Sequence, residues 1–211
     1  MTAVPVSKAT IGRIPAYLDL LKNSPDIERG SDSTISAAAV SRLMDLGEVQ
    51  VRKDLASVCG MGRPRVGYNT LDLIRRLEQF MGCANPDLVA VIGAGKLGSA
   101  LLDYSGFEAF GLKVVAAFDN DPAKFGRTVS GKDIYPIHDF ETFCSRMGIG
   151  IVIIAVPESA CQETADMIVK AGITRILNLS PVRPKVPANV SVEQVNIALS
   201  LAHLKHGGRS F

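Results

Sequence analysis

Residues 88–101, LVAVIGAGKLGSAL, constrain this chain more than any other stretch: an apolar run leads directly into Gly93, Gly95 and Gly98, and the next apolar run, KVVAAFD, closes on Asp119. Apolar runs without alternation are strands buried on both faces, the kind that pair in parallel beneath covering helices. A glycine at 93 lets the chain turn sharply out of the strand, one at 95 leaves room for a ligand against the backbone, and one at 98 lets the following helix pack close to the sheet. That helix opens with free N–H groups and the positive end of its dipole, a natural seat for phosphate. G-x-G-x-x-G alone is a weak signal. Between a buried strand and a helix, with an acidic residue ending the next strand, it is a dinucleotide-binding fingerprint. Gly93, Ala94, Gly95, Lys96, Leu97 and Gly98 are therefore the candidate phosphate-binding residues.

Asp119 stands where a carboxylate can accept from a ribose hydroxyl and repel a 2′-phosphate, which favours NAD or NADH over NADP. The alternative is an Asp that merely opens the DNDP turn, a role Asp121 fits better. Further on, GIVIIAV, ESACQETADMIVKAG, RILNLS and VSVEQV continue a strand–helix alternation, with HDFETFCSRM a helix reached through a loop. Ligands bind at strand C-terminal ends in such sheets, so Val156 and Pro157, and likewise Asn178, Ser180 and Pro181, are candidates too. The pattern predicts an α/β, doubly wound Rossmann domain over residues 86–195, followed by a short C-terminal helix and tail at 196–211.

Residues 1–85 follow a different pattern. IGRIPAYLDLL sets Ile11, Ile14, Leu18 and Leu21 on one helical stripe, with Pro15 tolerable only near the first turn. Ser36 can cap AAAVSRLMDL, which ends at Gly47, and EVQVRKDLASV then forms a second short helix with Val51, Leu55 and Val58 inward. Two short helices joined through a Gly turn, the second carrying a basic face, make a helix-turn-helix pattern. In GMGRPRVGYNT the glycines and Pro64 exclude a helix and favour a hairpin wing bearing two arginines, and Thr70 caps a last helix through Leu71, Ile74, Leu77 and Phe80. Arg52, Lys53, Arg63 and Arg65 oppose only Asp54 within residues 50–65, a compact basic patch suited to phosphate.

Several functions are disfavoured. An apolar content of 47% with 21% charged residues is that of an ordinary globule, and no run reaches the eighteen apolar residues of a membrane helix. Without the apolar segment of a secretory signal at MTAVPVSKATIGR, the expected location is cytoplasmic. Cys59, Cys83, Cys144 and Cys161 lie far apart and read as free thiols rather than a zinc site. Hydride-transfer catalysis needs a placed acid or base. His138 follows a surface loop and His203 and His206 lie in the tail, so no catalytic residue is expected and the chain does not read as an enzyme.

A winged helix followed by a Rossmann domain and a short helix resembles the Rex family of redox-sensing transcriptional repressors over essentially the whole chain. The resemblance is carried by SKATIGRIPAY, by QVRKDL at Gln50 to Leu55, by GYN at Gly67 to Asn69, and by IGAGKLGSAL, AFDNDPAKFG, AVPESACQ and LNLSPVRPKVP. It implies a homodimer, its C-terminal helix exchanged between subunits, that binds double-stranded operator DNA when NAD is abundant and lets go when NADH takes the shared site. It places Lys8, Arg13, Gln50, Arg52, Lys53, Arg63 and Arg65 at the DNA and counts Tyr104, the match to the tyrosine that joins the family's coupling Arg and Asp, among the cofactor-binding residues. Where the family has an Arg and an Asp that couple the two activities, this chain has Asp19 and Asn196, which implies a weaker switch. Two other readings remain open: a DNA-binding regulator whose dinucleotide is only structural, and a small NAD- or CoA-binding enzyme subunit.

Overall fold

The computed structural model describes residues 6–128 and 130–205. The chain divides into two compact units, one of Met1–Pro86 with Ala109–Gly111, the other of Asp87–Glu108 with Leu112–Phe211.

The first unit is built from α1 (Lys8–Asn23), β1 (Thr34–Ile35), α2 (Ala37–Leu43), α3 (Glu48–Cys59), β2 (Tyr68–Asn69) and α4 (Thr70–Phe80). Ser7 caps α1 by accepting from the Thr10 amide at 3.1 Å, so the helix begins a turn earlier than the apolar pattern suggests and Pro15 falls in its interior. Pro15 removes one i→i−4 hydrogen bond. The inward stripe is Thr10, Ile14, Tyr17, Leu18 and Leu21, whereas Ile11, expected inward, is 48% exposed. Ser36 caps α2 as expected, accepting from Ala39 at 3.1 Å. The turn into α3 uses Asp45 at φ 52°, and Gly47 is the N-cap of α3 rather than the end of α2. Asn69, not Thr70, caps α4 through the Asp72 amide, and Leu73, Ile74 and Leu77 face inward while Leu71 and Phe80 are exposed. The core of Ile14, Leu18, Leu21, Val40, Val51, Leu55, Leu73 and Leu77 is closed to solvent. Each such side chain contributes about 1.5–3 kcal/mol of burial.

The wing is a short hairpin. Thr34 and Ile35 pair antiparallel with Asn69 and Tyr68, and Arg63 exchanges backbone hydrogen bonds with Gly67 at 2.7 and 2.8 Å. Between them Pro64 and Arg65 form the turn, Arg65 adopting φ 63°, a left-handed conformation that a side chain rarely takes. The Tyr68 hydroxyl donates to the Gly60 carbonyl at 3.0 Å and ties the wing to the end of α3.

The second unit holds β3 (Asp87–Ile92), α5 (Lys96–Asp103), β4 (Leu112–Asp119), β5 (Gly126–Arg127), β6 (Asp133–Pro136), α6 (Phe140–Met147), β7 (Ile151–Ile154), α7 (Cys161–Lys170), β8 (Arg175–Asn178), β9 (Ser191–Gln194) and α8 (Ile197–Lys205). Its sheet runs β5-β6-β4-β3-β7-β8-β9, parallel throughout except for edge strand β5. The loop expected between Asp119 and His138 thus contains two further strands. One side of the sheet packs Val89, Val91, Val114 and Ala117 against Leu102 of α5; the other packs Ile92, Phe118 and Ile154 against Phe140 of α6 and Ala165 and Ile168 of α7. Phe118 is central on that side, its ring 5.2 Å from Phe140 and 5.4 Å from Phe143 in edge-on contacts. From β3 the chain moves to β4 and β6 on one flank and then to β7, β8 and β9 on the other. Beside β3 lies the topological switch point where such sheets bind ligands.

Candidate functional site

At that switch point a cleft of about 1100 Å³ opens beyond the strand ends. Gly93, Gly95, Lys96 and Leu97 line it from the glycine-rich turn, Asp119, Asn120 and Lys124 from the end of β4, Ala155, Val156 and Pro157 from β7, and Leu179 from β8. The turn is fixed by close backbone approach. A Cβ on Gly98 would lie 1.8 Å from the Gly93 carbonyl oxygen, and one on Gly93, itself at φ 97°, 2.5 Å from that of Ala155. At Gly95 a Cβ would meet nothing within 4 Å, and no side chain caps the α5 helix that begins there. The first-turn amides of a helix lack intrahelical acceptors, so this open N-terminus has the chemistry to hold a pyrophosphate. The residues present therefore fit a dinucleotide.

Asp119 is only 5% exposed. One oxygen accepts from the Ala94 amide at 2.7 Å, the other from the Asp121 amide at 2.9 Å, and Lys124 Nζ lies 3.0 and 3.2 Å from the two. Burial would raise its pKa, but the Asp121 amide, the Lys124 ammonium and the Ala94 amide outweigh that and hold it below the usual carboxylate range. The sequence placed Asp119 at a ribose. The structure shows it clamping the glycine-rich turn, with Lys124 beside it. Nothing in the motif announced Lys124.

Asn178, Ser180 and Pro181 do not line the cleft. Asn178 is fully buried and donates through its amide nitrogen to the Val182 carbonyl and to Gln194 Oε1, each at 2.7 Å, while its oxygen accepts from the Ser180 amide. Its capacity is spent on holding the chain after β8, and Leu179 reaches the cleft instead. Ala94 and Gly98 serve the turn from beneath. Tyr104 stands at the far end of α5, exposed, its ring edge-on to Phe107 at 5.1 Å.

A second concavity, about 600 Å³, lies in the first unit between α3 and the wing. Arg52, Lys53, Arg63 and Arg65 all line it, so the fold gathers the entire basic patch around one groove. Arg52 is paired with Glu48 one helical turn away. Lys8 is exposed at the start of α1, away from the groove. Arg13 departs furthest from its expected role, because its guanidinium turns inward. Nε and Nη2 donate to the two Asp54 oxygens at 2.7 and 2.9 Å, and the Tyr17 and Thr10 hydroxyls donate to the same carboxylate at 2.7 and 2.9 Å. Burial would raise the pKa of Asp54, yet the bonds from Arg13, Tyr17 and Thr10 prevail and lower it. Burial, together with the bond to Asp54, pushes the Tyr17 phenol up to about 12. This network was missed, though one signal was available: Asp54 sits beside Leu55 on the inward stripe of α3, where a charge needs a partner.

Of the remaining positions, Asp19 is exposed and accepts from Asn23, and Asn196 accepts from the Leu199 amide at the start of α8. Cys59 and Cys144 are buried thiols, pushed up by burial to about 11 and about 12, which makes them unreactive. No group of metal-ligating side chains occurs among the described residues. His206 lies outside the described residues.

Known proteins match this arrangement along its length. A family model described as a CoA binding domain matches residues 85–182, and one described as a putative DNA-binding protein N-terminus matches residues 5–56. The redox-sensing transcriptional repressor Rex of Desulforamulus reducens is 35% identical over 201 residues, covering 95% of this chain and 94% of the relative. The chain belongs to the Rex family. Another Rex relative, the repressor Rex 2 of Enterococcus faecalis, is 34% identical over 97% of this chain and 94% of its own. Among solved structures, the Rex-family repressor RSP in complex with NAD+ and operator DNA matches with a TM-score of 0.81 at 33% identity, covering 97% of this chain and 93% of that one. RSP in complex with NADH matches with a TM-score of 0.79 at the same identity, covering 97% and 94%.

Proposed function

We propose that this chain is a transcriptional repressor that holds operator DNA with its first unit and releases it when NADH occupies the cleft of the second, so that it reports the NADH/NAD ratio. The observation that carries the reading is the pairing, in one Rex-family chain, of a groove lined by four cations between a recognition helix and a wing with a cleft built around an open glycine-rich helix N-terminus. Arg52 and Lys53 on α3 and Arg63 and Arg65 on the wing would meet the duplex, with Lys8 contributing charge. The family is one of regulators by name, and a regulator is the reading favoured over an enzyme. No described helix is long and apolar enough to cross a membrane, and the action proposed is cytoplasmic.

A homodimer with exchanged C-terminal helices completes the proposal. No residue of α8 is buried, and its Ile197, Leu199, Leu201 and Leu204 are each more than half exposed. An apolar helix left facing water is stabilised when a partner covers it.

The test is a mobility-shift titration with an operator selected by the full chain from a randomised duplex library, run in parallel with NAD and NADH. NADH is expected to release the duplex and NAD to preserve the complex. Lys53→Ala and Arg65→Ala should weaken binding, and removing a phosphate contact should lower the slope of log affinity against log salt by about 1. Unchanged affinity in both variants at moderate salt would sink the DNA-binding reading, and equal retention in NAD and NADH would sink the switch.

Coupling is reciprocal, so operator must weaken NADH binding by the same factor as NADH weakens operator binding. With Asp19 and Asn196 in place of the Arg and Asp that the family resemblance assigns to coupling, discrimination between NAD and NADH is expected to be modest. Asp19→Arg with Asn196→Asp should enlarge it, the double variant exceeding the combined single effects. Additive or absent effects in paired NAD and NADH titrations would remove these two positions from the switch.

A further inference from the structure

On the exposed face of α3, one side chain has its hydrogen-bonding character fixed from beneath. Gln50 projects to solvent, and the donors around it assign its amide oxygen to the side facing Arg13, 2.5 Å from Nη2 and 3.3 Å from Nη1. Arg13 cannot swing away to free that oxygen. Its rigid fork is held on Asp54 by Nε and Nη2, and Asp54 is itself anchored by the Thr10 and Tyr17 hydroxyls. With the oxygen turned onto both Arg13 nitrogens, the amide nitrogen and its two hydrogens are the end left for a ligand.

An unconstrained glutamine on a recognition helix reads adenine, its oxygen accepting from N6 and its nitrogen donating to N7. Here the accepting half is taken. We propose that Gln50 reads the operator as a donor alone, selecting guanine, which offers O6 and N7 side by side as acceptors, and rejecting adenine, whose N6 amino group would face a second donor. Arg13 and Asp54 act as positioning residues: they touch no base, but they set which half of the Gln50 amide meets one. The inference rests on the DNA-binding reading and goes further by naming the base chemistry at one position.

The test begins with a duplex selected by the full chain from a randomised library, followed by affinities for all four base pairs at each position. For the wild type, the position that loses its preference in Gln50→Ala is expected to be a guanine, with adenine there costing roughly tenfold or more, the scale of one bidentate pair. Gln50→Glu presents an outward acceptor in place of the donor, so it should shift that position alone towards cytosine or adenine. Arg13→Lys keeps a cation on Asp54 but cannot also hold the Gln50 oxygen, so the guanine-over-adenine preference should fall to roughly threefold or less while other positions keep theirs. A merely structural role for Arg13 would weaken all sequences alike. If Arg13→Lys proves unfolded by circular dichroism, exposed Gln50→Glu still decides the matter. A Gln50-dependent position that selects adenine, or the absence of any such position, overturns the inference and leaves DNA binding standing. Retention of no duplex at all overturns the DNA-binding reading and the inference with it.

Discussion

Replacing Asp54 by asparagine is expected to cost the first unit about 3 kcal/mol at neutral pH, the lower end of what removing one partner of a buried ion pair costs. The substitution sets an amide N–H2 among four donor groups, two from Arg13 and one each from Tyr17 and Thr10, that now meet on a carboxylate. Its pH dependence follows from direction. The folded-state pKa of Asp54 is depressed, so the carboxylate's contribution is fully present above the unfolded value of about 3.9 and is lost as pH falls through the lower folded value. The gap between wild type and Asp54→Asn should therefore close below about pH 4. Amide hydrogen exchange followed peptide by peptide suits a chain of two units, because it reads the protection of each separately. Peptides from α1 and α3 should exchange roughly a hundredfold faster in the variant, since each 1.36 kcal/mol is tenfold, while β3 and β7 stay unchanged. Equal protection in α1 and α3 would show that the network is not what joins them.

The glycines of the second unit should separate folding from binding. Gly95→Val adds its side chain into open space at the mouth of the cleft, so the fold should melt as the wild type does while NADH affinity falls roughly a hundredfold or more, the pyrophosphate's approach being blocked. Gly98→Ala adds a single methyl, yet that methyl would lie 1.8 Å from the Gly93 carbonyl oxygen, a backbone atom that cannot move without opening the β3–α5 crossing. It should lose about 3 kcal/mol or more of stability and NADH binding together. NADH fluorescence titration beside a thermal melt reads both. A Gly95→Val protein that binds NADH normally would place the dinucleotide elsewhere, and a stable Gly98→Ala protein would disprove the close crossing.

Much of this was legible in the sequence, for physical reasons that can be named. β3 and β4 declared themselves because strands buried on both faces must be apolar throughout, and Gly93, Gly95 and Gly98 because each answers a steric demand no other residue meets. β6 was hidden for the opposite reason: its four residues, DIYP, are only half-buried, too short and too mixed to show a period. Asn178 was misplaced because a polar residue at a strand end looks the same whether it faces a ligand or caps its own loop, and only its bonds to Val182 and Gln194 tell the two apart. The four cations of the groove were readable as a patch. Arg13 was not separable from them, since a sequence shows a charge but not the buried carboxylate forty-one positions away that claims it.

The left-handed Arg65 at the tip of the wing has an evolutionary corollary. A glycine there would relieve strain of about 1 kcal/mol and would arise readily by drift, because most proteins sit near the least stability that selection allows. An arginine at this position keeps a cation at the wing tip against that strain. In a descendant that no longer needed that cation, the wing tip is where the change would first register, as a glycine and a slightly more stable head.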